Sequence, residues 1–374
     1  MTIRLLHTAD WQLGKPFANI TGDAGALLRS ARFEAVARLA ELATRRGADA
    51  VLVAGDAFDG NMVADDTLHR ALAAMRGFTG PWLMLPGNHD AALAASVWTR
   101  LAEAGLPGNV VPLLEPVALT LCDGRLAVLA APLTTRHVVE DLTAWMDTAV
   151  TPAGVIRVGV AHGSVTGFLP DQADAPNPID PARATKAGLD YLALGDWHGA
   201  MRIDERSWYA GTPEPDRFKA NDAGHALLVR LDEPGVAPLV ERVQVGRYRW
   251  TEMLLDDTAG QGLLPTRLEA ALDAIEEPAD SLVRLHLRGV ADLSARERLG
   301  RLIERRGAAF VHMDVDWSGL EVTASEADLA PLDDGGAIGA TAERLRAQAA
   351  DRPEAALALR LLHRLASRVQ EGPR

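Results

Sequence analysis

Trp82-Leu83-Met84-Leu85-Pro86-Gly87-Asn88-His89-Asp90 is an apolar run that stops at a Pro-Gly turn and then presents three polar side chains in succession. Such a run predicts a buried strand whose last residues open onto a crevice beyond the sheet edge. Asn88 offers a carbonyl ligand, His89 an imidazole acid or base, and Asp90 a carboxylate able to hold that imidazole. Together they point to cleavage of a phosphoester. Four further stretches repeat the form, an apolar strand with metal-ligand residue types at its carboxyl end.

Upstream, Asp49-Ala50-Val51-Leu52-Val53-Ala54-Gly55-Asp56 predicts a strand ending in an acid, with Gly55 letting the backbone turn sharply under Asp56. A carboxylate has two oxygens, so Asp56 is the natural bridge between two cations. The first strand, Ile3-Arg4-Leu5-Leu6-His7-Thr8, leads to Asp10 and Gln12, whose i, i+2 spacing on an extended chain turns both toward one cation. Between these strands, Ala35, Leu39 and Leu42 among charged residues predict an amphipathic helix from Ala24 to Arg46, stopped by Gly47. A second helix is expected from Ala64 to Met75. Strand and helix thus alternate as in an open α/β sheet, where ligands sit beyond the carboxyl ends of the strands.

Downstream, Leu126 to Ala131 and Val155 to Val160 read as strands, the latter ending in Ala161-His162-Gly163. Tyr191-Leu192-Ala193-Leu194-Gly195 ends in Asp196-Trp197-His198-Gly199, again with two ligand types at i and i+2. Pro170 to Pro181 is an irregular loop. The alternating runs Ala226 to Leu231 and Val240 to Val245 predict a second, more antiparallel sheet layer, which places the catalytic domain in residues 1–250. From 251 to 330, helix-like Leu268 to Ile275 and Ala295 to Arg305 alternate with strand-like Leu282 to Leu287 and Phe310 to Met313, a small α+β domain. Residues 331–374 are expected to be a linker, Asp333-Asp334-Gly335-Gly336, and a helix from Thr341 to Val369 bearing Leu357, Leu361 and Leu365.

The 374 residues are 48% hydrophobic and 24% charged, a balance that suits a globular chain with one large domain and a smaller one. Cys122 is the single cysteine, which excludes an intramolecular disulfide and a cysteine-built metal site and suits a reducing compartment. No apolar run approaches the roughly 18 residues of a membrane span, and the chain enters its first strand without a leader-like segment. A cytoplasmic location without a membrane partner is expected. The formal charge of −13 argues against a protein that coats nucleic acid by neutralising phosphates. It is compatible with a nuclease whose cleft is made positive by metal ions.

Taken in order, Asp10-Trp11-Gln12, Gly55-Asp56, Gly87-Asn88-His89-Asp90, His162 and Gly195-Asp196-Trp197-His198 resemble the motifs of the calcineurin-like metallophosphoesterases. The opening His7-Thr8-Ala9-Asp10 and the later Gly211-Thr212-Pro213-Glu214-Pro215 are similar to the branch of double-strand-break repair nucleases to which bacterial SbcD belongs. The likeness covers about two thirds of the chain. It implies a two-layered β-sheet core flanked by helices, and two divalent metal ions. By this resemblance Asp10, Gln12, Asp56 and His198 surround one ion, and Asp56, Asn88, His162 and Asp196 surround the other. His89 then contacts the scissile phosphate and assists the leaving group, with Asp90 orienting its ring. Residues 251–330 stand where the family carries a DNA-facing capping domain.

Gln12 and Asp196 stand where that family usually has histidines. Both replacements offer oxygen, and Asp196 adds a negative charge, so the pattern predicts a manganese enzyme poorly served by Zn²⁺. The same departures allow an alternative in which one metal site has been lost and the chain is a nuclease-like scaffold subunit. Gln12 with Gly195-Asp196-Trp197-His198 also resembles the bacterial MPE branch, typically encoded beside a Lhr-type helicase, an ATP-dependent DNA ligase and a second nuclease. Members of that branch are Mn²⁺-dependent endonucleases on single-stranded DNA, so the resemblance implies DNA repair by single-strand cleavage with those three as co-workers. A small-substrate phosphodiesterase is the competing activity.

Other residues carry plainer expectations. Asp59 is a turn or cap carboxylate, and His7, facing away from Asp10, is a structural hydrogen-bond partner. Trp11 and Trp197 pack behind the ligands, with base stacking as the alternative. His69, His137, His225 and His363 are surface or packing residues, and His286 and His312 ordinary sheet residues without partner ligands. Lys15, Arg202, Arg217 and Lys219 are candidates for phosphate contacts.

Overall fold

A computed structural model of the chain describes residues 2–20, 22–168, 176–258, 262–325, 328, 336–349 and 351–371. Residues 170–175 of the expected loop and 333–335 of the expected linker lie outside them. The chain divides into two compact units, Met1–Tyr248 and Arg249–Arg374.

In the first unit, Ile3–Thr8, Ala50–Ala54, Trp82–Leu85 and Val110–Pro112 pair in parallel in that order. The first three are apolar almost throughout because both faces of the sheet are covered. Leu5, Leu52 and Leu83 pack against a second sheet, while Leu6, Val51 and Val53 pack against the helices Ala24–Arg46 and Asp65–Met75. The longer helix closes at Gly47, whose φ of 62° suits glycine. The second sheet runs Leu126–Ala131, Ile156–His162, Tyr191–Gly195 and Ser207–Tyr209 in parallel, with Val117–Leu121 and Met201–Arg202 antiparallel at its edges. Two six-stranded sheets therefore face each other, and the chain is the helix-flanked, two-layered α/β protein expected.

The runs near 226 and 240 depart from expectation. His225–Leu231 and Leu239–Gln244 do form an antiparallel pair, but His225–Leu231 also pairs with Ile3–Thr8, so they extend the first sheet and start no second layer. Alternation does not say which edge a hairpin will join. Here it covers the edge of Ile3–Thr8 that the parallel strands leave open.

In the second unit, Arg249–Asp257, Ser281–Asp292 and His312–Thr323 form a parallel three-stranded sheet. The helices Leu264–Asp273 and Leu293–Gly307 close a core of Leu255, Leu268, Leu285 and Leu299 with it. The last strand outruns the apolar stretch 310–313, because Asp314, Asp316 and Ser318 alternate with the packed Met313, Val315 and Trp317. Where one C-terminal helix was expected there are two, Ala337–Ala349 and Pro353–Glu371. Pro353 lacks an N–H and disfavours helix at the residue before it, so it starts a helix instead of continuing one. Ala342 and Leu359 pack on Leu293 of the same unit. Among the described residues, no helix is long and apolar enough to cross a membrane.

Candidate metal centre

Strand ends from both sheets of the first unit build the site, and the backbone is bent to bring them in. Asp10 (φ 54°), Gln12 (φ 43°), Asp56 (φ 54°) and Asp196 (φ 107°) lie in left-handed backbone, four of the nine non-glycine residues that do so among those described. That conformation costs an L-residue roughly 1–2 kcal/mol, and its concentration at one place marks a functional site. Asp10 and Gln12 therefore do not share one side of an extended strand. A tight turn presents them, held by Asp10 N–H on the Gly55 carbonyl (3.0 Å) and Gln12 N–H on the Asp56 carbonyl (2.8 Å). Glycine at 55 and 87 leaves room for this. A Cβ on Gly55 would overlap the His162 ring, and one on Gly87 would overlap the Asp56 carboxylate.

Asp10, Asp56 and His162 are buried and offer ligand atoms within 4.8 Å of one another. His162 Nδ1 lies 2.9 Å from the Ala54 carbonyl. A carbonyl only accepts, so Nδ1 carries the hydrogen and Nε2 faces inward, 3.0 Å from Asn88 Oδ1, 3.5 Å from Asp56 Oδ1 and 3.9 Å from Asp196 Oδ1. Oxygens that converge on a ring nitrogen in this way need a cation between them, either a proton or a metal. Burial opposes a proton on His162, but Asp56, Asp10 and Asp196 outweigh it and raise its pKa to about 9. Burial raises Asp10 to about 6, against the pull of His198 and His162. Asp196 is steadied by the Ser164 hydroxyl at 2.8 Å, and its N–H donates to Asp10 at 3.2 Å. This donor set fits a divalent ion, since its carboxylates and amide supply the oxygens such ions prefer.

The other half of the site is paired differently. Gln12 Nε2 lies 3.3 Å from His198 Nε2, and Gln12 Oε1 accepts from Lys15 at 2.8 Å. Lys15 also meets Asp216 Oδ2 at 2.7 Å, and the same oxygen lies 3.2 Å from His198 Nδ1. His89 donates from Nδ1 to the Asp59 carbonyl (3.0 Å), which turns Nε2 toward the centre, 4.0 Å from Asp56 Oδ2. Asp90, expected to orient that ring, does not do so. Its carboxylate is buried and accepts the N–H groups of Gly87 (2.7 Å) and Phe58 (3.1 Å). Burial, reinforced by Asp56, pushes it up to about 7. In the turn, His89 faces the centre while Asp90 faces back into the loop, so Asp90 holds the loop and a backbone oxygen holds the ring.

The sequence profile of the calcineurin-like phosphoesterases matches residues 3–229, more than half of the chain. The chain belongs to the calcineurin-like phosphoesterases. Within them it is of the SbcD type, being 35% identical over 334 residues to the SbcD subunit of the nuclease SbcCD from Rhodobacter capsulatus, an alignment spanning 74% of this chain and 76% of the relative. The SbcD subunit of the Bacillus subtilis nuclease SbcCD is 25% identical over 355 residues, covering 83% of this chain and 85% of that one. The DNA double-strand break repair protein Mre11 of Aeropyrum pernix is 29% identical over 263 residues, covering 65% of this chain, which spans only 61% of that relative. The phosphoesterase is thus a hydrolase.

Several side chains of the phosphoesterase take plainer places. His7 bridges the Tyr191 hydroxyl (2.8 Å) and the Leu194 carbonyl (3.2 Å), and burial lowers its pKa to about 3, so it joins the sheets as a neutral group. Trp11 is buried edge-on against Trp82, and Lys219 covers one face of the half-buried Trp197 at 4.3 Å. Arg202 lies over Trp208 at 5.7 Å. His286 does have carboxylate partners, Glu252 at 3.0 Å and Asp316 at 3.1 Å on the neighbouring strands. Sequence reasoning missed Arg32, which is buried and donates to the carbonyls of Trp11 (2.6 Å), Asp10 (3.2 Å) and Glu214 (3.2 Å), fixing the ligand-bearing turn from behind. Its signal was a charge within the buried stripe Leu28, Arg32, Val36, Leu39 of the first helix. Asp216, also missed, had no signal beyond its place after the Gly211–Pro215 stretch.

Proposed function

We propose that this phosphoesterase is a Mn²⁺-dependent endonuclease that cleaves single-stranded DNA in DNA repair. One observation carries the proposal: oxygens of Asn88, Asp56 and Asp196 converge on His162 Nε2 beside buried Asp10, with His89 Nε2 turned to the same place. Asp10, Asp56 and His198 would hold one divalent ion, with Gln12 beside it, and Asp56, Asn88, His162 and Asp196 the other. Such a pair supplies Lewis acidity and nucleophile activation for phosphoester hydrolysis. Donors this rich in oxygen favour Mn²⁺ or Mg²⁺ over Zn²⁺. His89, its Nδ1 hydrogen anchored on Asp59, presents Nε2 as the proton donor to the departing oxygen, and Asp90 fixes the loop that carries it.

A DNA substrate is supported by the relatives, named as nucleases and as a break-repair protein. Residues 1–250 would then be the catalytic domain, 251–330 a DNA-facing cap, and 331–374 a linker and C-terminal helix. The co-workers would be a helicase, a ligase and a second nuclease, in the cytoplasm. The test is closed circular single-stranded DNA incubated with the purified chain and Mn²⁺, Mg²⁺ or Zn²⁺ in turn. Linearisation with Mn²⁺ that Asp56→Ala and His89→Ala both abolish is the expected result. Hydrolysis of a small aryl phosphodiester without DNA cleavage would replace the proposal by a small-substrate phosphodiesterase. Failure on both substrates would leave a scaffold.

A further inference from the structure

Four side chains beside the centre close a ring of polar contacts, and Arg217 reaches into it at His198 Nδ1. Lys15 has only donors, so the Gln12 atom 2.8 Å from Nζ is the carbonyl oxygen, and the amide nitrogen is turned to His198 Nε2 at 3.3 Å. An amide NH₂ only donates, so it meets His198 Nε2 as an acceptor, while His198 Nδ1 lies between an acceptor, Asp216 Oδ2 at 3.2 Å, and a donor, Arg217 Nη2 at 3.0 Å. The same oxygen takes Lys15 Nζ at 2.7 Å, which completes the ring. Asp216 is buried, and Arg217 grips both of its oxygens, from Nε at 2.9 Å and from Nη2 at 3.0 Å. The ring therefore stands on a braced carboxylate.

The opposite half of the centre is the reverse case. Around His162 Nε2, oxygens of Asn88, Asp56 and Asp196 converge at 3.0, 3.5 and 3.9 Å, with the His89 N–H on Asp56 Oδ1 at 2.9 Å as the backbone donor among them. An ion arriving there relieves repulsion. An ion arriving at His198 must displace the Gln12 amide from Nε2, compete with Lys15 for the Gln12 oxygen, and settle near two like charges, the Lys15 ammonium and the Arg217 guanidinium on the far side of the ring. We propose that the Lys15–Gln12–His198–Asp216 ring restrains the second metal ion. The centre fills unequally, tightly on the Asp10–Asp56–His162 side and weakly on the His198 side, with Lys15, the cation that holds the Gln12 oxygen, contributing most of the difference. Gln12 is then a positioning residue, not a standing ligand.

The ring has this role only if the centre takes two ions, as the proposed function requires, so the experiment separates the two ideas. Full-length metal-free protein is titrated with Mn²⁺ by calorimetry, with free Mn²⁺ counted by electron paramagnetic resonance and folding checked by thermal melting. The wild type should show two steps at least about tenfold apart. Lys15→Met, which keeps the aliphatic stem and removes the charge, should tighten the weaker step about tenfold and leave the tighter one alone. Gln12→His should tighten the same step, and Lys15→Arg should not. Two equally tight steps in the wild type, or a weaker step that neither folded Lys15→Met nor Gln12→His tightens, overturn the ring's role and leave the two-ion centre standing. No Mn²⁺ uptake at all overturns both.

Discussion

Replacing Gly55 with alanine asks whether the centre depends on how closely the two sheets meet. Gly55 has a φ of 94°, and a Cβ there would overlap the His162 ring, which is itself held on the Ala54 carbonyl. Left-handed backbone costs alanine about 1–2 kcal/mol, and overfilling a packed interior adds about 1–3 kcal/mol. The expected loss is therefore about 2–5 kcal/mol, which at about 2–4 °C per kcal/mol lowers Tm by roughly 4–20 °C. Gly47→Ala is the matched control, since Gly47 is also left-handed (φ 62°) but nothing lies near its missing Cβ. It should lose only the backbone part, about 1–2 kcal/mol. Moving the ring also carries Nε2 away from Asn88, Asp56 and Asp196, so Mn²⁺ uptake should weaken in Gly55→Ala and not in Gly47→Ala. Scanning calorimetry and Mn²⁺ titration of both variants decide the matter. A Gly55→Ala chain that melts with Gly47→Ala and binds Mn²⁺ like the wild type would refute the reasoning.

His89→Ala should lower turnover on circular single-stranded DNA by about 10²–10⁴-fold with Mn²⁺ affinity unchanged; loss of affinity as well would make His89 a holder of the ion and not a proton donor. Mn²⁺ uptake should release protons, because His162, raised to about 9, is protonated in the metal-free chain at neutral pH, and Asp10, raised to about 6, is protonated below that. Apparent affinity should then fall about tenfold per pH unit as pH drops from about 9 to about 6, and more steeply below. Titrations in buffers of different ionisation enthalpy count the protons, and an affinity independent of pH contradicts the assignment. Arg32→Met removes a buried cation that faces Asp216 and Glu214 and should cost about 3–5 kcal/mol in urea unfolding. A loss below about 1 kcal/mol would show that those carboxylates are satisfied without it.

Asp56, Asn88, His162 and Asp196 were legible because each ends an apolar run, and an apolar run long enough to be a buried strand leaves its next polar residue at the sheet edge. The agents that aim these side chains were not legible. The carbonyls of Ala54 and Asp59 orient His162 and His89, and every residue carries a carbonyl, so no residue type announces it. Asp90 was assigned to the ring on adjacency, whereas a turn sends neighbours in different directions. Lys15 and Asp216 are 201 residues apart, and no local pattern joins them. The hairpin near 226–244 and the break at Pro353 show the same divide. Alternation and proline chemistry reveal that an element exists or stops, while the partner edge is chosen by what the rest of the chain leaves uncovered.

The order in which the strands leave the ribosome bears on when the centre can form. The first sheet's parallel strands end at Pro112, the second sheet occupies residues 117–209, and the first is completed only by His225–Leu231 and Leu239–Gln244. Asp10, Asp56 and Asn88 thus wait for partners made much later, and His162, Asp196 and His198 arrive before the sheet that faces them has its last strands. A cation held by residues of both sheets would bind only the assembled pair, and by mass action would stabilise it alone. A metal ion would then be taken up last, and a chain stalled before residue 225 would carry ligands on both sides of a seam whose first sheet still lacks its closing strands.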